Sequence, residues 1–297
     1  MTVLGVLGDL LDDHVVWLRE PLREASDTEV TMYRVRGGSA ANVAALAGQR
    51  HPTRFIGCVG PDLEGDRLVA ELASRGVDVR VQRAGRTGSV VVLVDPSGER
   101  TMLPYRGAAA LLGPVDPEWT EGLAHLHVPA YAFAEEPAAT AAADALRRTA
   151  VRGGTVSVDA SSTGMLRAYG ERRFLRLLGT LAPHFLFANR AEAAALAHGS
   201  GGPGPAGDDL CALARRLRRT TVIVKDGARP TTVLAPDQPP LRVAVAPVDG
   251  IRDLTGAGDA FAAGFLTAYL EGAGLREACG TGHSEAARVL RTPGASA

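Results

Sequence analysis

The sequence has a single lysine, Lys225; every other basic residue is arginine, in a chain rich in alanine and glycine. That bias assigns no function, but it makes the lone ammonium conspicuous. Cysteine is scarce too. Cys58, Cys211 and Cys279 lie far apart and form no CxxC pair. Neither a zinc ribbon nor a disulfide framework is indicated, and a reduced, cytoplasmic setting fits best. No apolar run approaches the roughly 18 residues that a spanning helix needs, so no membrane partner is expected. The N-terminus has no basic segment and meets Asp9, Asp12 and Asp13 within a few residues. It reads as a buried strand rather than a signal peptide. An excess of one charge is missing as well: 32 basic and 33 acidic residues leave a net charge of −1. A global basic field for nucleic acid is therefore absent. No internal repeat is found.

What is present is ordinary for a globular protein: 297 residues, 46% hydrophobic and 22% charged. At about 150 residues per domain this is one large domain or two small ones. Short apolar, β-branched runs at 3–7, 54–59, 89–94, 126–128, 155–158, 185–188 and 221–224 read as strands. Several lack polar alternation, which suits a parallel sheet buried on both faces. Helical patterns fall between them at 62–75, 137–148, 208–219, 257–270 and 275–290. The alternation predicts an α/β fold, doubly wound, with a mainly parallel sheet covered by helices on both faces. Two stretches break the rhythm. Extended segments at 15–18 and 29–35, and a hairpin-like pair at 87–95 and 99–105, are not separated by helices. They predict a small antiparallel sheet standing off the main domain. The segment 198–207 reads as a flexible surface loop.

The strongest chemical signal is DLTGAGDAFAAG at 253–264. A glycine-rich turn opens directly into an apolar helix, whose free amides and dipole favour an anion. Gly256 and Gly258 remove side chains that would hold a phosphate away. Asp259, in the first turn, is odd beside a phosphate unless it works on a proton; a plain helix start with a dipole-favoured acid explains it equally well. A second signal is GGSAANVAALAG at 37–48, which sets Asn42 in a first helical turn, within reach of a polyol or simply satisfying local backbone. A third is Asn189-Arg-Ala-Glu192 after a strand: either a capping box or two oxygen-bearing side chains for phosphates and hydrated Mg²⁺ at a strand's carboxyl end. Asp12 and Asp13, expected at the end of the first strand, suit vicinal hydroxyls or a solvated turn. Gly256-Ala-Gly258 is not a Rossmann fingerprint, since Phe261 stands where the third glycine would be, and there is no Walker A loop.

Together these motifs resemble the ribokinase-like (PfkB) carbohydrate kinases over nearly the whole chain. Gly37-Gly38 with Asn42 is similar to the family's N-terminal signature; 253–259 with Phe261 and Gly264 is similar to its C-terminal one; Asn189-x-x-Glu192 matches its Mg²⁺/phosphate motif. The resemblance implies a core of 1–12, 38–86 and 107–297 and a β lid of 13–37 and 87–106. It implies an ATP-dependent kinase acting on a small sugar, with Asp259 as base and the amides of Gly256, Ala257 and Gly258 as anion hole. Asp13, Gly38 and Asn42, with Arg106 near the mouth, would meet the acceptor. Asn189, Lys225, Gly227, Thr255, Gly258 and His283 would meet ATP. Asn189 and Glu192 would organise Mg²⁺ through water. Asp253 would help build the monovalent-cation site, for K⁺, that some members have. Two departures stand out: Ser39 where ribokinases proper commonly carry lysine, and Leu11 where they carry a polar residue. A nucleoside kinase of the same family and a catalytically silent sugar-binding regulator remain alternatives, and an exposed lid sheet offers an edge for a homodimer.

Overall fold

The computed structural model describes residues 2–198 and 208–292. The first half of the chain runs β1 (Val3–Leu7), β2 (Leu11–Leu18), β3 (Val30–Gly37), α1 (Ser39–Gly48), β4 (Thr53–Val59), α2 (Leu63–Ser74), β5 (Val77–Arg83), β6 (Ser89–Val94) and β7 (Arg100–Tyr105). The middle contributes β8 (Leu123–Pro129), α3 (Ala138–Val151), β9 (Thr155–Asp159), α4 (Thr163–Tyr169), α5 (Glu171–Leu181), β10 (Phe185–Asn189) and α6 (Arg190–His198). It closes with α7 (Asp208–Arg216), β11 (Thr221–Asp226), β12 (Arg229–Leu234), β13 (Leu241–Val243), α8 (Ala257–Leu270) and α9 (Leu275–Leu290).

Nine strands form the main sheet in the order β13-β12-β11-β10-β9-β8-β1-β4-β5. The seven from β11 to β5 pair in parallel, and β12 and β13 add an antiparallel edge. Side chains alternate between two apolar layers, as period-two geometry requires. Leu7, Leu126, Leu186 and Val222 point into the layer built with α3, α5 and α6. Val6, Phe55, Phe185, Phe187 and Ile223 point into the layer built with α1, α2, α8 and α9. This double burial is why the strand runs lacked polar alternation. From β1 the chain winds one way through β4 and β5; β8 to β11 lie on the other side. The order therefore reverses beside β1, and a crevice opens there at the carboxyl ends of the strands.

The small sheet holds four strands in the order β3-β2-β6-β7. It is mixed, not antiparallel as expected: β2 and β3 pair antiparallel, as do β6 and β7, but the central pair β2 and β6 is parallel. Joining two separate hairpin-like units side by side leaves their inner strands free to run the same way. Asp12 and Asp13 do not end the first strand; they lie near the start of β2, which begins at Leu11. Asp12 is buried because Arg34 and Arg67 ion-pair with it and replace its water. Of the expected loop at 198–207, His198 closes α6, and 199–207 lie outside the described residues.

Candidate active site

A cavity of about 840 Å³ opens at the reversal in strand order and gathers nearly every motif residue. Residues after β1 (Asp9), after β8 (Tyr131), at the end of β9 (Asp159), at the end of β10 and in the first turn of α6 (Asn189, Glu192), and at and just after the end of β11 (Lys225, Gly227) line it together. A smaller cavity of about 400 Å³ between α1, α8 and α9 contains none of the expected site residues.

Asp259 sits in the first turn of α8. Gly256 caps that helix with φ +76°, a left-handed conformation that favours glycine, and 256–258 line the crevice, with Ala257 N making only a long 3.5 Å bond to Leu254 O. The Asp259 carboxylate accepts from Ser39 Oγ at 2.7 Å and from Asn42 Nδ2 at 2.9 Å. Burial pushes it up to about 6, against those two hydrogen bonds, which pull the other way. Asn42 is held in turn: its Oδ1 accepts from Arg36 Nη1 at 2.7 Å, and Arg36, itself buried, lies 3.5 Å from Glu71. Its amide thus orients Asp259, with one N–H left over for a ligand. Gly38, φ +94°, lets the start of α1 approach β1 so closely that a Cβ there would strike the carbonyl oxygen of Asp9.

The phosphate end carries the lone lysine. Lys225 Nζ is 3.0 Å from Asp159 Oδ2, and a Cβ added at Gly258 would lie 3.3 Å from that ammonium. The positive charge therefore adjoins the helix start. Burial opposes the ammonium, but Asp159 and Glu192 outweigh it and hold its pKa above the ordinary lysine value. Asn189 and Glu192 form the full reciprocal cap: Glu192 accepts from Asn189 N and Nδ2, each at 2.7 Å, and Asn189 Oδ1 accepts from Glu192 N at 2.9 Å. The capping geometry is real, yet Glu192 also lines the cavity, and burial with the charge of Asp159 pushes it up to about 7. Two carboxylates, Glu192 and Asp159, facing one cavity fit a divalent cation nearby. No cluster of three or more His, Cys, Asp or Glu able to hold a metal occurs among the described residues. Mg²⁺ would then take most of its ligands from phosphate and water, with Glu192 and Asn189 behind them. Thr255 and Gly227 line the same end, and His283 shares a 2.8 Å hydrogen bond with Thr231 Oγ1.

The acceptor end is built by β2, β7 and the β1–β2 connection. Asp13 is half-buried, and its Oδ1 has no hydrogen-bond partner. Burial, and then the charge of Asp12, push it up to about 7. Beside it, Leu11, Val90, Met102 and Pro104 make an apolar wall. Arg106 is not a solvated arginine. Its side chain is 12% exposed and grips Asp9 with two bonds, Nη2 to Oδ1 at 2.6 Å and Nε to Oδ2 at 3.1 Å. Among the cavity residues that the sequence reading did not pick out as site residues are Asp9, Ser39, Tyr131 and Asp159. Ser39 carried a local signal, as the first residue after the Gly-Gly turn. Asp9 carried none, because its partner is 97 positions away.

A doubly wound sheet, a crevice at its strand-order reversal, a helix-start anion site and a buried carboxylate beside it define a phosphotransferase of the ribokinase-like fold. The model for the pfkB family of carbohydrate kinases matches residues 5–297, and the chain belongs to that family. An ATP-dependent ribose-1-phosphate kinase of Halopiger xanaduensis is 34% identical, over 86% of this chain and 83% of that protein. A fructokinase of Escherichia coli is 32% identical, over 78% and 76%. The crystal structure of adenosine kinase from Sinorhizobium meliloti superposes with a TM-score of 0.86 at 25% identity, over 100% and 95%. The protein is thus an ATP-dependent kinase of the sugar and nucleoside class. No helix among the described residues is long and apolar enough to cross a membrane.

Proposed function

We propose that the chain transfers the γ-phosphoryl group of ATP to a hydroxyl of a small neutral sugar, with Asp259 as general base. The observation that carries this reading is Asp259 itself: a buried carboxylate on two donors, pushed up to about 6, one residue from the Gly258 amide. A base near the operating pH is the effective kind. The acceptor hydroxyl gives its proton to Asp259 as its oxygen attacks the γ-phosphorus, and ADP leaves. The amides of Gly256, Ala257 and Gly258, with Lys225, stabilise the negative charge on the transferring group. Mg²⁺, bound with ATP, would neutralise phosphate charge from the side of Glu192 and Asn189. Asp13 and the remaining N–H of Asn42 hold acceptor hydroxyls. A silent regulator has no use for this arrangement of base and anion site.

Neutrality of the acceptor is supported by Arg106, whose Nε–Nη2 edge is taken by Asp9, leaving the unpartnered Nη1 as a single donor that suits a hydroxyl better than a two-pronged carboxylate grip. A nucleoside is the second reading, favoured by the apolar wall of Leu11, Val90, Met102 and Pro104, which suits the flat face of a base. The β3 and β7 edges of the small sheet, with Met32 at 59% and Leu103 at 51% exposure, support a homodimer through that sheet, testable by sedimentation. Three unpaired cysteines support a cytoplasmic location. The deciding experiment is ADP release with a panel of sugars, nucleosides, sugar acids and ribose-1-phosphate. Turnover of a neutral sugar or nucleoside is expected. Preference for a sugar acid or ribose-1-phosphate would overturn neutrality, and no turnover with any acceptor would overturn the kinase mechanism for this site.

A further inference from the structure

Asp253 stands where the family resemblance implies a monovalent-cation site, and the structure puts a different cation on it. Asp253 is buried and opens the loop that leads to Gly256. Its Oδ1 accepts from Thr255 N at 2.7 Å. The same oxygen takes Arg100 Nη1 at 2.6 Å. Arg100 begins β7 in the small sheet, opposite Val94, directly after the 95–99 turn. That turn is locked by Asp95 Oδ1, which accepts from Ser97 N at 2.8 Å and Glu99 N at 2.9 Å. The guanidinium thus comes from a hairpin whose turn is closed by side-chain bonds. An alkali ion at Asp253 would have to share this oxygen with a fixed positive charge, and like charges at such range repel. Among the described residues, Asp253 with Arg100 on the same oxygen does not fit K⁺.

We propose that Arg100 is a positioning residue that supplies the charge at Asp253, so that closure of the small sheet over the cavity completes the phosphate end and turnover needs no potassium. The proposal rests on the kinase reading above. The pair ties together two walls of the cavity, since Met102 and Pro104 of β7 and Ile251 and Leu254 before α8 line the same space. With Arg100 seated, Asp253 holds the Thr255 amide in the turn that sets the helix start, while its negative charge is kept from the incoming phosphates.

The test compares wild type, Arg100→Gln and Arg100→Lys in KCl and in tetramethylammonium chloride at equal ionic strength, by ADP release and by thermal melting. Wild-type kcat should agree between the salts within about twofold, less than the loss of a charge contact produces. Arg100→Gln should lose about tenfold or more in kcat without potassium, since a charge-assisted bond is gone. Potassium should then restore much of that rate and raise the variant's Tm, because an ion that binds only the folded state stabilises it. Arg100→Lys should stay indifferent to potassium. Strong activation of wild type by potassium would overturn the proposal, as would full activity of Arg100→Gln without it. A slow Arg100→Gln that potassium neither rescues nor stabilises would reduce Arg100 to a structural contact. A wild type without turnover on any acceptor would sink the kinase mechanism instead, and the melting comparison would still decide the role of Arg100.

Discussion

The two ends of the cavity are built in opposite ways. The phosphate end is local. Gly256 to Asp259 are consecutive, Asn189 and Glu192 are one helical turn apart, and each group is held largely by backbone of its own segment. The acceptor end is assembled from distance. Asp259 is oriented by Ser39 and Asn42, more than 200 positions earlier, and Arg106 reaches back to Asp9. The local parts of the phosphate end keep their shape when distant parts shift, with Arg100 and Lys225 as its ties to other segments, whereas the acceptor end depends throughout on long-range contacts. Binding the nucleotide should thus tolerate changes that abolish acceptor use. Asp259 lies where the two ends meet, so its substitution tests the comparison most severely. Asp259→Asn should cut kcat by about 10²–10⁴-fold, the usual worth of a general base. The Ser39 hydroxyl can turn to accept from the new amide, so Tm and ATP affinity should stay near wild type. A variant keeping half the wild-type kcat would show that Asp259 is not the base.

Removing Arg106 should strike only the assembled end. Arg106→Met leaves Asp9 as a buried carboxylate without its partner, a change that typically costs about 3–5 kcal/mol of stability. Acceptor KM should rise about tenfold or more, while ATP KM holds, if Asp9 shifts as it seeks another donor. Equal losses for ATP and acceptor would erase the distinction between the ends. A collapse confined to sugar acids would make Arg106 an acid-binding residue instead.

Acidity gives a gentler probe of both ends. Asp259, pushed up to about 6, must be ionised to take a proton. kcat/KM should therefore fall about tenfold per pH unit below that value, and a rate independent of pH down to 5 would exclude it as the titrating base. Asp13 and Glu192 are each pushed up to about 7, against the ordinary carboxylate value near 4. The folded protein then binds protons that the unfolded chain has released. Their contribution to stability is full below about pH 4 and is lost as pH rises through about 7. Urea midpoints measured with and without Asp13→Asn should show this fall flattened in the variant. An unchanged slope would mean that Asp13 titrates normally.

Legibility follows the same division. Motifs made of neighbours in sequence were readable before any fold was known, and α8 and α9 lie at 257–270 and 275–290 as the pattern predicted. So was the alternation of apolar strands and helices that implied the doubly wound sheet. β5 escaped because an edge strand alternates Val77, Val79 and Val81 with charged and polar residues, and so lacks a continuous apolar run. β12 contains Pro230, which argues against a strand unless it lies near an edge. The parallel pairing of β2 with β6 has no local signal at all, since it joins segments over 70 positions apart. For the same reason the Asp9–Arg106 pair and the Arg100–Asp253 contact could not be read from spacing.

The smallest effect is expected at Glu192, where two physical readings coexist. As a cap, its carboxylate accepts from both nitrogens of Asn189. Glutamine can keep one of those bonds through its carbonyl oxygen, so Glu192→Gln should cost only about 1 kcal/mol or less of stability. As a neighbour of phosphate and Mg²⁺, the same carboxylate supplies charge that glutamine lacks. The substitution should then raise the Mg²⁺ concentration needed for half-maximal rate several-fold, roughly the effect of 1 kcal/mol on an equilibrium, while acceptor KM barely moves. Titrating Mg²⁺ at fixed ATP separates the two. A small loss of Tm with an unchanged Mg²⁺ curve would make Glu192 a cap and nothing more, and the phosphate end would owe its charge balance to Lys225, Asp159 and the helix start.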